Sequence, residues 1–282
     1  MAAPPTAVEN RLRTTEHIQS PVIAFEDVSI AFEANSVLED ISFHLNRGET
    51  KAIFGIAGSG KSTILKLAMG LVKPDSGRID VLGNDITQMR EEDLFELCRQ
   101  IGMVFQESAL FDSLTVRENV AFRLMEEHQI SEEEIERRVR ESLRFVELER
   151  TVDMFPSELS GGMRRRVAIA RAIVTRPEIL LYDSPTGGLD PVTSTTIIEL
   201  IVKQRDVYKT SSLLVSHRLQ DAFVMASHYF DRDKGRMLPL PPGARGDVPM
   251  TFLILRQGKI IFDGDIHELA HSKDEYIREY IS

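Results

Sequence analysis

Residues Gly55-Ile56-Ala57-Gly58-Ser59-Gly60-Lys61-Ser62-Thr63 constrain this 282-residue chain more than any other stretch. They match the pattern G-x-x-x-x-G-K-[ST] in full, and the flanks carry the context that the pattern requires. Thr50 to Phe54 reads as a buried strand, and Ser62 to Met69 sets Ile64, Leu65, Leu67 and Ala68 at helical spacing. A glycine-rich turn between a strand and a helix lets the backbone wrap phosphates, so that N–H groups at the helix N-terminus face negative charge. Gly55, Gly58, Ser59, Gly60, Lys61, Ser62 and Thr63 are therefore the expected nucleotide contacts. Lys61 would reach the β- and γ-phosphates, and the Ser62 hydroxyl would ligate Mg²⁺.

Composition narrows the partners. The formal net charge is −10, which argues against a general nucleic-acid binder. The single Cys98 cannot form an internal disulfide and suits a reducing compartment. No apolar run approaches the roughly 20 residues of a membrane span, and Met1 to Pro5 has no apolar core like that of a signal peptide. If the protein serves a membrane process, another chain must supply the membrane part.

In chain order, residues 1–21 read as a flexible tail, with a weak helical pattern over Val8 to His17, and 22–282 as one nucleotide-binding domain. Val22 to Phe32 and Val37 to Leu45 alternate as strands ahead of the loop. Phe32 would either stack on an adenine ring or face the core. Gly77 to Leu82 is a further strand. Arg90 to Arg99 is a helix with Leu94, Phe95, Leu97 and Cys98 as its apolar stripe. Ile101 to Phe105 is a buried strand that ends at Gln106. Glu107 to Leu114 is a loop whose Leu110 and Phe111 either meet a partner or pack locally. A helical segment spans about 107–165, including Ser131 to Glu134 as a capping box whose acidic run is a solvated helix end. Leu159-Ser160-Gly161-Gly162 opens a helix, Ile179 to Asp183 is an apolar strand, Pro191 starts a helix, and His217 follows the strand Ser211 to Ser216. Residues 231–250, rich in proline and glycine, read as a loop that joins two strands of a hairpin. Met250 to Leu255 and Lys259 to Asp263 form a strand pair, and Ile266 to Tyr280 is helical in pattern. Strands alternating with helices imply an α/β fold with a mainly parallel sheet covered on both faces.

The order Gly55–Thr63, Gln106, Leu159–Gly162, Asp183, Gly188-Leu189-Asp190-Pro191 and His217 resembles the nucleotide-binding subunit of ABC transporters over about residues 22–282. The resemblance implies a P-loop ATPase core, an N-terminal antiparallel β-subdomain and an inserted α-helical signature subdomain. It implies that Asp183 holds Mg²⁺ with Ser62, and that Gln106 senses Mg²⁺ and water. It also implies that Ser160, Gly161 and Gly162 close on the γ-phosphate of an opposite subunit. Asp190 would couple the two sites, and His217 would contact the γ-phosphate. The cofactors implied are ATP and Mg²⁺. The implied partners are a second copy in a head-to-tail dimer, an integral membrane permease and further accessory subunits, which would put the chain on the cytoplasmic face of the cell membrane. Gly102 to Val120 (GMVFQESALFDSLTVRENV) and Ser184 to Ser194 (SPTGGLDPVTS) are similar to the ATPases of Mla- and Mce-type lipid transporters.

One departure stands out. Ser184 occupies the place where the family pattern has the glutamate that polarises the attacking water, and a serine hydroxyl is not basic near neutral pH. The expectation is slowed but real hydrolysis, since positioning and charge stabilisation carry most of phosphoryl transfer. A soluble, nucleotide-controlled dimerisation switch without a permease is the competing reading.

Overall fold

A computed structural model describes residues 21–33, 35–126, 130–241 and 248–281. All of the expected tail over 1–21 but Pro21, with its weak helix, lies outside the described residues. Strands β1 (Ile23–Phe32) and β2 (Asn35–Leu45) pair antiparallel. β3 (Thr50–Gly55) leads into helix α1 (Lys61–Ala68). β4 (Ser76–Val81) and the short β5 (Asn84–Asp85) complete a four-stranded antiparallel sheet in the order β2-β1-β4-β5. Helix α2 (Glu91–Cys98) follows, then β6 (Ile101–Val104). A helical layer comes next, with α3 (Val116–Glu126), α4 (Glu132–Phe145) and α5 (Gly161–Ile173). The chain returns to the sheet through β7 (Ile179–Asp183), α6 (Pro191–Lys203), β8 (Ser211–Val215) and α7 (Leu219–Ser227). A two-stranded ribbon, β9 (His228–Asp231) with β10 (Arg236–Pro239), precedes β11 (Met250–Arg256) and β12 (Lys259–Gly264). Helices α8 (Ile266–Ala270) and α9 (Glu275–Ile281) end the description.

The main sheet runs β12-β11-β3-β8-β7-β6, parallel except at the β12 edge. Strand alternation sorts its side chains into two cores. Ala52, Phe54, Leu180, Tyr182, Phe252 and Ile254 face the helical layer. Ile53, Ile179, Leu181, Leu213, Val215 and Leu253 face α1, α2 and the antiparallel sheet. Both faces are dry, so the strands read as continuous apolar runs.

Several local expectations are corrected. Residues 231–250 are not a loop throughout. The Asp231 carboxylate accepts the N–H groups of Asp233 and Lys234, and this turn joins β9 to β10, the strand that lies within that stretch. On α2 only Leu97 is buried, and Phe95 is exposed, its ring carrying the Arg99 guanidinium at 5.4 Å. Ser131 caps α4 by accepting from Glu134 N, but the Glu134 carboxylate pairs with Arg137 and Arg138. A stronger ionic partner on the next turn has displaced the reciprocal arm of the capping box. Ile266 to Tyr280 is two helices, because Asp274 starts a new turn by accepting Ile277 N.

Gly102 fixes how closely α5 lies against β6. A Cβ there would stand 2.4 Å from the Ala172 carbonyl oxygen and 2.7 Å from Leu180 Cδ2. Gly102→Ala should cost about 2 kcal/mol of stability, the usual scale of overpacking. Urea denaturation of both proteins measures it, and an unchanged midpoint would show that the layers have room to part.

Candidate functional site

Four parallel strands end side by side, and the loops that leave them carry the predicted residues. β3 enters the glycine loop, β8 enters His217, β7 ends on Asp183 and β6 leads toward Gln106. The carboxyl ends of parallel strands form the usual ligand crevice of such sheets. Two cross-links hold the ends level: Ser216 N donates to Ile53 O at 3.2 Å, and Ser184 N to Val215 O at 2.8 Å.

Gly60, at φ 97°, caps α1. Only glycine fits there, since a Cβ would lie 2.5 Å from Leu38 Cδ2, so β2 of the antiparallel sheet backs the loop directly. The Lys61 ammonium is buried and donates to Gly55 O at 2.9 Å, Ile56 O at 2.8 Å and Ser59 Oγ at 3.4 Å. Ser62 is exposed and Thr63 half-buried on the first turn of α1. Burial lowers the Lys61 pKa, and the Asp183 carboxylate opposes that shift. His217 is also lowered, by burial first and by Lys61 next, with Asp183 opposing. Lys61, Asp183 and His217 thus share one electrostatic site. The Ser62 hydroxyl and the Asp183 carboxylate are hard oxygen donors of the kind Mg²⁺ prefers. Among the described residues no cluster of three or more His, Cys, Asp or Glu could hold a metal alone. A two-donor set suits an ion that also keeps waters and phosphate oxygens.

Ser184 stands in the left-handed region at φ 48° and is buried. Its hydroxyl lies 3.4 Å from Asp183 Oδ1, and its carbonyl accepts Gly187 N at 2.9 Å. Gln106 is exposed and sits two residues beyond the end of β6, not at the strand's end as the sequence suggested. Its Cγ is 3.7 Å from where a Cβ on Gly187 would be, so it lies beside the 184–187 turn. Phe32 is 46% exposed at the tip of the β1–β2 hairpin, which removes the core reading of this ring.

The signature residues form a second cluster. Ser160 caps α5 by accepting Met163 N at 3.2 Å. Gly162 abuts Thr193 of α6. Asp190 caps α6, accepting from Thr193 Oγ1 and from the N–H groups of Val192 and Thr193, and the Thr193 contacts hold its pKa down. Among the described hydrogen bonds, none joins Ser160–Gly162 to Gly55–Thr63.

Sequence reasoning missed the residue that ties the two clusters. Arg165, on α5, is 4% exposed and donates to Phe105 O (3.3 Å), Ser184 O (3.2 Å) and Gly187 O (3.3 Å). It lies within Arg164-Arg165-Arg166, where helical phase, which turns one residue of the three inward, was the available signal. It also missed Asn119. This fully buried amide accepts Phe111 N and donates to the carbonyls of Phe111, Leu114 and Thr115, while Arg171 holds those of Ser108 and Ala109. The loop that displays Phe111 is therefore rigid. The Phe111 ring is 44% exposed and packs on Phe122 at 4.7 Å, and Leu110 is half-buried against the core.

Residues 38–187 match the family model described as ABC transporter. The protein TRIGALACTOSYLDIACYLGLYCEROL 3, chloroplastic, of Arabidopsis thaliana is 36% identical over 276 residues, which is 95% of this chain and 75% of that protein. The methionine import ATP-binding protein MetN of Bifidobacterium longum is 36% identical over 228 residues, 78% of this chain and 57% of that protein. The chain thus spans three quarters of the first relative and under two thirds of the second. Among solved structures, a dimeric ATP-binding cassette in a post-hydrolysis state bound to ADP and Pi superposes with a TM-score of 0.72 at 28% identity, over 86% of this chain and 98% of that one. The cbiO1 protein of Clostridium perfringens, part of an ABC transporter complex, gives a TM-score of 0.75 at 26% identity, over 92% and 94%.

Arg165→Met keeps the length of the side chain but leaves three carbonyls without their shared donor. The expected loss is about 2 kcal/mol. Arg165→Lys should recover only part of it, because one ammonium cannot span the three acceptors. Chemical denaturation of the three proteins decides; equal stability of wild type and the Met variant would mean that the carbonyls find other donors.

Proposed function

We propose that this chain, which belongs to the ABC transporter family of ATPases, is the energy-coupling subunit of a membrane transporter of Mla or Mce type that moves phospholipid or another hydrophobic substrate. Its enzymatic activity is ATP hydrolysis, with ATP and Mg²⁺ as the family's ligands. The lipid reading rests on one observation. The relative that aligns over 95% of the chain carries a glycolipid in its name, whereas the methionine-import relative aligns over 78%.

In this reading Lys61 leaves the carbonyls of Gly55 and Ile56 for the β- and γ-phosphates, with the N–H groups of Gly58, Ser59, Gly60 and Thr63 around them. Ser62 and Asp183 hold Mg²⁺, which neutralises developing charge on the phosphate oxygens. Gln106 and His217 border the γ-phosphate, and the exposed Phe32 ring is offered to the adenine. Ser160, Gly161 and Gly162 serve the nucleotide of a second copy in a head-to-tail dimer, and Asp190 couples the two sites from beside them. The absence of any bond from Ser160–Gly162 to the chain's own loop supports this assignment. The rigid Phe111 loop is the contact for the permease. No helix among the described residues is long and apolar enough to cross a membrane, so the chain would sit peripherally on the cytoplasmic face, joined by permease and accessory subunits. The domain limits remain 22–282 for the nucleotide-binding unit, with its helical part about 107–165.

Affinity purification from detergent-solubilised membranes tests the transporter reading. The expected result is a stable complex with a multi-span protein that carries bound lipid. Recovery only in the soluble fraction would favour the dimerisation switch instead, a reading that draws its support from Ser184.

Ser184 is also where the catalytic proposal can be measured. The water-polarising carboxylate is missing while Asp183 and His217 stand in place. Ser184→Glu should raise steady-state turnover at least roughly tenfold with little change in ATP affinity, general-base catalysis being worth about 10²–10⁴-fold. Equal or lower turnover would mean that water is activated elsewhere, with His217 the next group to replace.

A further inference from the structure

The geometry points to Tyr280 as a positioning residue for the glycine loop, through which helix α9 and nucleotide binding are coupled. Gly55 is the last residue of β3 and the first of the loop, and its peptide groups are gripped from two sides. Its N–H donates to Tyr280 Oη at 3.2 Å, and its carbonyl accepts the Lys61 ammonium at 2.9 Å. The hydroxyl comes from an element more than 200 residues away in sequence. Helix α9 is itself anchored to the core by Ile277, which is 2% exposed.

An aromatic ladder aims the hydroxyl. The Tyr280 ring stacks on Tyr276, centroids 5.9 Å apart and planes at 17°. The Arg256 guanidinium lies 4.3 Å from the centre of the Tyr276 ring. Arg256 closes β11, the strand beside β3, so the ladder springs from the same sheet that carries the loop. Burial raises the Tyr280 pKa, so the hydroxyl keeps its proton and receives the N–H through a lone pair. Tyr276 supplies a built-in contrast: its hydroxyl is buried and finds no hydrogen-bond partner among the described residues.

The consequence follows from preorganisation. A loop whose first peptide is fixed loses little further freedom when phosphates arrive. Without the Tyr280 hydroxyl the buried Gly55 N–H loses this acceptor, and Gly55, whose carbonyl holds Lys61 on the next peptide, is less firmly placed. ATP affinity should fall. The groups proposed at the γ-phosphate do not touch Tyr280, so turnover at saturation should hold. By linkage, nucleotide should in turn steady α9.

This inference rests on the nucleotide reading of the loop, and the experiment separates the two. ATP·Mg²⁺ is titrated by calorimetry into full-length wild type, Tyr280→Phe and Tyr276→Phe, and steady-state ATPase rates are taken at saturation. Tyr280→Phe, which keeps the stack, should raise Kd about three- to tenfold, the loss expected from one hydrogen bond. Its saturated turnover should stay within about twofold of wild type, the split that marks lost binding without lost chemistry. Tyr276→Phe should leave both unchanged. Hydrogen exchange over 275–281 should slow with ATP·Mg²⁺ in wild type and slow less in Tyr280→Phe. The inference is overturned if Tyr280→Phe binds ATP as wild type does, if Tyr276→Phe weakens binding as much, or if exchange in wild type ignores the nucleotide. A wild-type protein that binds no ATP·Mg²⁺ would overturn the nucleotide reading and this inference with it.

Discussion

Strand β3 hydrogen-bonds in parallel to β8 on one side and to β11 on the other, with Ile53 level with Val215 and Gly55 level with Leu255. β8 in turn sets Val215 level with Asp183 of β7. This register makes a site out of residues scattered between positions 55 and 217. A strand that slipped by one residue would turn its apolar set toward the other core. Close packing of each set against its own core therefore favours the alignment that brings Lys61, His217 and Asp183 to one crevice. The hydrophobic sorting of Phe54, Tyr182 and Leu214 to one side and Ile53, Leu181 and Val215 to the other is thus also what fixes the polar geometry.

The crevice is electrostatically tense. Lys61 is a buried ammonium that has exchanged water for the oxygens of Gly55, Ile56 and Ser59. Neutral acceptors compensate a charge less well than phosphates would, so the resting contacts hold the lysine in place without matching the pull of an anion. Arg165 meets the same need from the other side. It is a second buried cation, lying on carbonyls of the Gln106 segment and of the Ser184 turn, with Glu107 and Asp183 opposing the effect of burial. Because Arg165 rides on α5, any movement of that helix is felt at the 184–187 turn and at the residues leading to Gln106. Three hydrogen bonds thus join the helical layer to the crevice.

How much of this was legible in the sequence depends on the range of the interaction concerned. The glycine loop, the strand ending at Asp183 and the helix starts at Leu159–Gly162 and Pro191 are local, and their residues announce themselves within a few positions. The apolar runs likewise gave the parallel sheet. The strand β10 inside 231–250 was hidden because proline and glycine dominate that stretch, and the order of the hairpin comes from Asp231 and from distant partners: Glu199 accepts Met237 N, and Asp206 accepts Phe230 N. Arg165, Asn119 and Tyr280 were hidden for the same reason. Each acts through backbone groups that no side-chain pattern encodes, and burial of a polar residue is settled by tertiary packing alone. Phe95 errs in the other direction, an apolar residue on the outer face of a short helix.

The surroundings of Ser184 bear on the proposed loss of a water-polarising carboxylate. The residue is 3% exposed and in the left-handed region, and its hydroxyl points at the Asp183 carboxylate. A glutamate in that position sets a second carboxylate beside the first, and like charges at short range in a partly dry site raise the cost of ionising both. A serine removes that repulsion and can donate to Asp183 instead. Under the proposed function, the exchange gives up a general base and avoids like-charge repulsion at Asp183, the direction of a stability–activity compromise. Lys61 at the loop, Asp183 at the end of β7 and His217 after β8 are held by the sheet register and not by residue 184, and under the proposed function they supply the position and charge on which phosphoryl transfer depends.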